Sequence, residues 1–268
     1  MDIDYRAITA RQQHVWSEGD FARIGVAAVI VGELLCEAVD IHPGERVLDV
    51  ASGSGNAALA ASRRFGEVTA SDFVSHLLET AARRAEAEKL PLTIRVADAQ
   101  DLPFPDGSFD VVLSTFGAMF APDQERTATE LLRVCRSGGR IGMANWVPDG
   151  WAGDLFRTTA ARVPPPPGLR PATDWGREER LRELFGDGIS ELTVARRRLV
   201  PRYYSPEQAI EYFRTWFGPT KVAFASLDEE GQSALAADML GVFDKWNRAK
   251  DGTLVMDADY AEVVAIRA

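Results

Sequence analysis

The chain has 268 residues, which is long for one minimal domain and short for two large ones, so a core domain with a smaller insertion is expected. Its hydrophobic content of 46% and charged content of 26% are those of a soluble globular protein. The formal net charge of −10 argues against a nucleic-acid-binding surface, because Lys and Arg are not in excess to neutralise phosphates.

The sequence shows neither a signal peptide nor a membrane-spanning segment. Residues 1–5 are acidic and lack the apolar segment of a signal peptide. The longest apolar run, 26–35, is interrupted by a glycine and a glutamate and is too short to span a bilayer. Cys36 and Cys135 have no Cys or His neighbours at ligand spacing, which favours buried thiols over a disulfide or a metal pair. We therefore predict a cytoplasmic protein without a membrane segment or a metal.

The N-terminal segment, 1–44, is predicted to form a helical cap ahead of the first strand. Residues 6–19 are mostly polar, with Trp16 embedded in them. Asp20 is a residue type favoured at a helix N-cap, and the periodic apolar run 21–35 follows it directly.

The stretch 46–56 combines a strand, a glycine turn and a helix start. Residues 46–50 suit a buried strand, although Asp49 is acidic, and Gly53-Ser54-Gly55 follows at once. A helix is predicted from 56 to 65. Glycine permits the tight turn and lets a ligand approach the backbone, and the helix N-terminus adds free N–H groups. This turn lies at the carboxyl end of a strand, where open α/β sheets bind ligands.

A Gly-x-Gly turn alone is weak evidence, because residues 53–58 also satisfy a loose dinucleotide pattern. Asp49, four residues before the first glycine, disfavours a pyrophosphate and suits a ligand with a cationic or ammonium group. The segment 47–55 resembles motif I of class I S-adenosylmethionine-dependent methyltransferases. That motif usually has glycine where this chain has Ala51, a small replacement.

Helices and strands alternate after the turn, as expected of a doubly wound α/β sheet. The predicted elements are a strand at 66–72 ending in Asp72, a helix at 75–89, a strand at 92–97, a turn-rich loop at 101–107, a strand at 109–114, a helix at 123–136 capped by Ser137-Gly138-Gly139, and a strand at 140–146.

Three further stretches resemble the same family in the same order: 68–73, 97–110 and 130–140. With motif I they cover 45–146, which the resemblance identifies as the cofactor-binding core. The resemblance also implies the complete fold, a Rossmann-like seven-stranded sheet with helical lid insertions.

The remainder is less regular. The segment 147–176 is predicted to be an insertion or linker, with a stiff Pro-rich stretch at 163–168. Residues 177–268 complete the core: the predicted elements are helices at 178–185, 206–217 and 228–248 and strands at 189–202 and 258–268. By resemblance these strands are the sixth and the antiparallel seventh, so 203–250 would be a helical lid insertion.

The resemblance also assigns a cofactor site for S-adenosylmethionine, with S-adenosylhomocysteine as product. Asp72 lies about twenty residues past the turn, where an acidic side chain binds a ribose diol. Asp98 and Ala99 match the adenine-edge positions. The predicted cofactor-binding residues are Trp16, Asp49, Ala51, Ser52, Gly53, Ser54, Gly55, Asp72, Phe73, Asp98, Ala99, Gln100, Ser114 and Thr115.

Candidate catalytic and substrate residues are fewer. His14 has a side chain that titrates near working pH and is the candidate general base, although a surface or packing histidine explains it as well. The candidate substrate residues are Phe116, Met119, Tyr203 and Trp216, for which ordinary core packing is the alternative.

Together these patterns predict methyl transfer from S-adenosylmethionine to a small molecule, with a hydrophobic or aromatic metabolite favoured by the aromatic residues of the lid. Nucleic-acid and membrane partners are not expected, and the protein would be a monomer or a homodimer. Two alternatives stay open: a protein of this fold with a non-methylating role, such as a cyclase or a binding partner, and an NAD(P)-dependent oxidoreductase. The acceptor atom is left open as O, N, S or C.

Overall fold

The structure is a computed structural model that describes residues 3–268; Met1 and Asp2, the first residues of the acidic start, lie outside it. The strands are β1 Arg46–Val50, β2 Glu67–Asp72, β3 Thr93–Val96, β4 Phe109–Thr115, β5 Cys135–Trp146, β6 Ile189–Leu199, β7 Arg202–Tyr203, β8 Leu254–Val255 and β9 Ala258–Arg267. The α-helices are α1 Tyr5–Ser17, α2 Phe21–Gly25, α3 Val29–Ala38, α4 Asn56–Arg63, α5 Ser75–Glu88, α6 Gln124–Val134, α7 Trp151–Arg162, α8 Glu178–Phe185, α9 Pro206–Trp216, α10 Gly218–Ala225 and α11 Glu229–Trp246. Short 3₁₀ helices are formed by Val26–Ala28, Ala118–Phe120, Ala172–Gly176 and Gly186–Gly188.

Seven strands form one sheet in the order β3-β2-β1-β4-β5-β9-β6. The first five strands are parallel, and β9 runs antiparallel to both β5 and β6. This confirms the predicted doubly wound, seven-stranded α/β sheet. The strand order reverses between β1 and β4, and in such sheets ligands bind at the carboxyl ends of the strands beside that reversal.

Alternate residues of the central strands enter two apolar cores, one on each face of the sheet. Val47 and Val111 join the core beneath α3 and α4, whereas Leu48 and Val112 join the larger core on the other face. All four side chains are fully buried. The central strands are thus covered on both faces, which fixes where their carboxyl ends emerge.

The turn after α6 differs from the prediction. Ser137-Gly138-Gly139 does not cap the helix: α6 ends at Val134 and β5 begins at Cys135. The register of β5 against β4 shifts within this stretch, Gly138 has a φ of +68°, and a Cβ on Gly139 would lie 2.8 Å from the carbonyl oxygen of Asp110. The glycines therefore allow the irregular pairing at the start of β5, where the backbones of β4 and β5 approach closely.

The N-terminal and lid segments also differ in detail. Asp20 does cap a helix, accepting a hydrogen bond from the Ala22 N–H at 3.1 Å. The run that follows is divided into α2, a 3₁₀ turn and α3 rather than forming one helix. The predicted strand to residue 202 stops at Leu199, and three helices rather than two lie between β6 and β9 in the chain. Within residues 3–268, no helix is both long and apolar enough to cross a membrane.

Candidate active site

The loop after β1 is held by Asp49. Its Oδ2 accepts hydrogen bonds from the Ser52 hydroxyl at 2.7 Å and from the Ala58 N–H at 2.9 Å, so one buried carboxylate joins the strand, the turn and α4. Its Oδ1 is also buried and has no hydrogen-bond partner among the described residues. Burial raises the pKa of Asp49 to about 7.

The same loop is joined to the end of β2 by Asp72. One carboxylate oxygen accepts from the Gly53 N–H at 2.9 Å and the other from the Val74 N–H at 2.9 Å. Burial raises the pKa of Asp72 to about 6, although the backbone hydrogen bonds favour the ionised form. Gly53 has a φ of +55°, a conformation that favours glycine. Asp72 therefore joins the glycine turn to the end of β2, and its role as a ribose acceptor stays a prediction.

A cleft of about 640 Å³, counting the space open to solvent, lies at the carboxyl ends of β1, β2 and β4. Of the predicted residues it is lined by Trp16, Ala51, Gly53, Asp72, Phe73, Asp98, Ala99, Gln100, Thr115 and Phe116. Phe120, which with Phe116 follows the fourth predicted strand and could wall the substrate side or belong to the core, also lines it. The sequence analysis missed Gln12, Phe21, Leu77, Ala97, Gly117, Ala118, Ala121 and Pro122.

The other predicted cofactor residues lie behind the cleft and shape it. Asp49, Ser52, Ser54 and Gly55 are not among its lining residues. Ser114 is fully buried: its hydroxyl donates to the Val50 carbonyl at 2.8 Å and accepts from the Ala118 N–H at 2.9 Å. Ser114 thus ties the ends of β1 and β4 to the wall formed by residues 116–122.

Gln100 connects Asp98 to the helical cap. Its side-chain amide donates to Asp98 at 3.0 Å and to the Thr9 hydroxyl of α1 at 2.9 Å, and its carbonyl oxygen accepts from the Asp123 N–H at 3.0 Å. Helix α1 is tied down a second time where Gln13 donates to the Phe73 carbonyl. These bonds hold α1 beside the cleft.

Phe116 follows β4 in a strained conformation. Its φ of +53° is rare for a bulky residue. The ring stacks on Trp146 with centroids 3.9 Å apart and meets Tyr260 edge-on at 5.5 Å. Thr115, just before it, lines the cleft with a buried hydroxyl that has no hydrogen-bond partner among residues 3–268. Strain of this kind concentrates at functional sites.

A second cavity of about 650 Å³, again counting the space open to solvent, adjoins the cleft and is here called the apolar chamber. Trp16, Phe21, Phe116 and Phe120 line both cavities and form an aromatic boundary between them. The remaining chamber residues are Ile24, Gly25, Ala27, Ala28, Trp146, Trp151, Ala152, Leu155, Phe156, Leu199, Pro201, Tyr203, Phe213 and Phe217. Tyr203 is the one titratable side chain among these lining residues, and burial raises its pKa, which keeps it neutral.

Three of the predicted catalytic and substrate residues are not placed at either cavity. His14 is 69% exposed, with Nδ1 4.0 Å from a Glu18 carboxylate oxygen, because it lies on the outer side of α1. Met119 is buried in the core. Trp216 stacks with the Arg23 guanidinium, 4.3 Å from its ring centroid. Phe116 and Tyr203 do line the apolar chamber.

The cysteines match the prediction of buried thiols: Cys36 and Cys135 are both free and buried. Burial raises their pKa values to about 12 and about 11, which favours the protonated thiol at neutral pH. In the described part of the chain, no group of three His, Cys, Asp or Glu side chains could hold a metal ion.

Comparisons with known proteins agree with this geometry. Residues 48–143 match the family model described as a methyltransferase domain. An uncharacterized protein of Mycobacterium tuberculosis is 41% identical over 87% of this chain and 85% of its own length. A demethylmenaquinone methyltransferase of Thermus thermophilus is 40% identical over 45% of this chain and 57% of its own length.

Solved structures share the fold at low identity. The YcgJ protein from Bacillus subtilis superposes with a TM-score of 0.60 and 18% identity, over 87% of this chain and 96% of that one. The (4+2)-cyclase SpnF superposes with a TM-score of 0.55 and 20% identity, over 90% and 80% of the two chains. The chain contains a methyltransferase domain and has the fold of the class I S-adenosylmethionine-dependent methyltransferases. Its near relative from M. tuberculosis carries no stated activity, so the family membership does not name an acceptor.

Proposed function

We propose that this protein transfers a methyl group from S-adenosylmethionine to a small, uncharged, apolar acceptor, and that the acceptor binds in the apolar chamber. The observation that carries the proposal is the shared aromatic boundary. Trp16, Phe21, Phe116 and Phe120 contact both cavities, so ligands bound on the two sides would meet there. Methyl transfer needs such an alignment of two reacting centres more than it needs acid–base groups.

The residues of the cleft fit the cofactor. Asp72 and Asp98 present carboxylates to a wall that is otherwise mostly apolar, as expected for a ribose and an adenine edge. Asp49, whose Oδ1 has no partner among residues 3–268, places a negative charge behind the glycine turn when it is ionised, and that form favours a ligand with a cationic group. When bound, S-adenosylmethionine supplies a methyl group activated by its positively charged sulfur.

The chamber residues act by shape and by excluding water. Their aromatic and aliphatic side chains would surround an acceptor on most sides, and water-free surroundings strengthen the electrostatic interactions of the reacting groups. No lining residue can act as a strong base at neutral pH, since Tyr203 is held neutral. We therefore propose that the acceptor atom attacks without help from a protein base and that its proton, where it carries one, is released to solvent water.

The proposal involves no nucleic acid and no membrane, and either a monomer or a homodimer in the cytoplasm would serve it. The low-identity likeness to a cyclase concerns the fold alone and adds no evidence for cyclisation. A methyl-transfer assay is therefore needed to distinguish the methyltransferase proposal from the non-methylating alternative.

The test is methyl transfer itself. The purified protein is incubated with S-adenosylmethionine labelled in the methyl group and with a panel of neutral aromatic phenols, hydroquinones and thiols. The proposal expects label in the organic phase and an equal amount of S-adenosylhomocysteine, both reduced at least tenfold by Phe120→Asp, which places a charge in the aromatic boundary. Binding of the cofactor with no transfer to any member of a broad panel would favour the non-methylating alternative.

A further inference from the structure

The apolar chamber reaches the protein surface at Ala27. Of the described residues that line the chamber, Ala27 alone is exposed. A groove on the outer surface, here called the outer groove, is lined by residues of α2, of the 3₁₀ turn after it, of α9, and of the β7–β8 ribbon and its flanks. Ile24, Ala27 and Tyr203 line both the chamber and the outer groove. The two spaces therefore meet at these three residues.

The outer groove offers apolar surface to solvent. Val26 is 65% exposed and Tyr204 is 87% exposed, and both line the groove. Exposed apolar side chains beside a cavity are a feature of ligand-binding grooves. An uncharged apolar molecule would gain free energy by contacting these side chains before it reaches the chamber.

The segments that meet at Ala27 and Tyr203 lie outside the main sheet. Ala27 belongs to the 3₁₀ turn Val26–Ala28 that separates α2 from α3. Tyr203 belongs to the two-residue strand β7, which pairs only with β8. The Tyr203 ring contacts Phe213 with centroids 6.0 Å apart. Movement of the turn or of the Tyr203 ring can therefore widen the junction without disturbing the seven-stranded sheet.

The cleft does not offer the same route. Ile24, Ala27 and Tyr203 do not line it, and it adjoins the chamber across the aromatic boundary. A cofactor bound in the cleft would fill the space in front of that boundary. A molecule that reached the chamber through the cleft would therefore have to enter before the cofactor.

We infer that the acceptor enters and the product leaves the apolar chamber through the outer groove, past Ile24, Ala27 and Tyr203, and that both exchange while the cofactor stays bound. The inference rests on the proposed function and adds the route to its acceptor site. Ala27 keeps the passage open because its side chain is small, so it limits the size of the acceptor that can enter.

The test places a removable block in the passage. Ala27→Cys is labelled with benzyl methanethiosulfonate, which attaches a benzyl group through a disulfide that dithiothreitol removes. Cys36 and Cys135 are buried, and wild type treated in the same way checks that they do not react. The probe is prodan, an uncharged naphthalene fluorophore, and its association with and dissociation from protein saturated with S-adenosylhomocysteine are followed by stopped-flow fluorescence.

Ile30→Cys, labelled identically, is the matched control. Ile30 follows Ala27 by three residues and is 57% exposed, but it lines neither the chamber nor the outer groove. Thermal unfolding of both labelled variants shows whether the label disturbs the fold.

A block in a passage slows entry and exit equally and leaves the equilibrium affinity unchanged, whereas a change in a binding wall alters the affinity. The inference therefore expects labelled Ala27→Cys to bind and release prodan about tenfold more slowly, with its Kd changed less than about threefold, and to recover after dithiothreitol. Labelled Ile30→Cys should behave as wild type.

Unchanged rates in labelled Ala27→Cys, or an affinity lost through faster dissociation alone, would overturn the inference. Prodan that binds only when S-adenosylhomocysteine is absent would enter through the cleft and would overturn it as well. Failure of the proposed function is distinguishable. Prodan that binds neither with nor without S-adenosylhomocysteine would reject the chamber as the acceptor site and the passage with it, whereas the expected rates without any methyl transfer would reject the proposed function alone.

Discussion

Ala51 and Gly117 meet in the cleft at a distance that leaves no room for a second side chain. A Cβ on Gly117 would lie 2.3 Å from the carbonyl oxygen of Ala51 and 2.7 Å from its Cβ. Ala51 itself has a φ of +52°, in the region that favours glycine. The family motif usually has glycine at this position, so this chain accepts strain on one side of the cleft and has glycine on the other.

Gly117→Ala is therefore expected to destabilise the protein by about 2 kcal/mol or more, since backbone must move to relieve the contact. It should also weaken cofactor binding, because both residues line the cleft. Urea unfolding and calorimetric titration with S-adenosylhomocysteine are the measurements. A variant with wild-type stability and affinity would show that the two segments are not packed in this way.

Ala51→Gly should have the opposite sign. Relief of a left-handed conformation gains about 1–2 kcal/mol and the added chain entropy of glycine costs about 0.5–1 kcal/mol, so a net stabilisation between about 0 and 1.5 kcal/mol is expected. Urea unfolding measures it. A clear loss of stability would contradict the conformation assigned to Ala51.

His14→Gln tests the position of the candidate base. Because His14 is exposed and lines neither cavity, affinity for S-adenosylhomocysteine should change less than twofold and the melting temperature should not move. Gln12→Ala is the comparison, since Gln12 lies in the same helix and lines the cleft; it should weaken binding. A strong effect at His14 and none at Gln12 would mean that α1 presents its other side to the ligand.

Cofactor binding should depend on pH through two carboxylates. The pKa values of Asp49 and Asp72 are raised by burial from 3.8 to about 7 and about 6, so part of each is protonated near pH 6 in the free protein. A cationic ligand prefers the ionised forms, so affinity should rise between about pH 5 and 7.5 and binding should release protons. Calorimetry of S-adenosylmethionine in buffers of different ionisation enthalpy measures both effects. In Asp49→Asn the proton release should shrink, and an unchanged release would contradict this account.

The same shifts affect stability in the free protein. A carboxyl whose pKa is raised on folding binds more protons in the folded state, so its contribution to stability is fully present below its unfolded pKa of 3.8 and is lost as the pH rises to its folded pKa. Asp49→Asn should therefore flatten the decline of the unfolding free energy between about pH 4 and 7. A steeper decline of the unfolding free energy in Asp49→Asn than in wild type would contradict the raised pKa of Asp49.

The bond from Gln100 to Thr9 should control how firmly α1 closes the cleft. Thr9→Val keeps the shape and removes the hydroxyl, and dissociation of S-adenosylhomocysteine should become about fivefold faster, the effect of about 1 kcal/mol. Stopped-flow displacement measures this rate. Thr129→Val, whose hydroxyl bonds only within α6, is the control and should leave the rate unchanged. Equal rates in both variants would show that this contact does not hold the cap.

Local signals explain which features the sequence predicts well. Asp49, the glycine turn and Asp72 lie in short segments whose spacing follows from one strand–turn–helix unit, and the structure places them together. The aromatic boundary was not predicted as a unit, because Phe21 and Phe120 come from segments about a hundred residues apart along the chain. Only the packing of α1, α2 and the segment after β4 brings them together.

In the lid, too, the sequence does not predict which of two adjacent aromatic residues faces a cavity. Trp216 and Phe217 are adjacent in sequence, yet Phe217 lines the apolar chamber and Trp216 stacks with Arg23 outside it. Periodicity predicts that a helix has a buried face, but adjacent residues point in different directions and the packing partner decides which one meets a cavity. The Ser137-Gly138-Gly139 stretch likewise has the composition of a helix cap, and only pairing with β4 makes it part of a strand.

The central claim is tested most directly by calorimetric titration of wild type with S-adenosylhomocysteine and, separately, with NADH. The account predicts that S-adenosylhomocysteine binds at one site per chain, that NADH does not bind, and that Asp72→Asn weakens binding at least tenfold while the variant remains folded. Binding of NADH in preference, or S-adenosylhomocysteine affinity that is unchanged in Asp72→Asn, would contradict the assignment of the cleft.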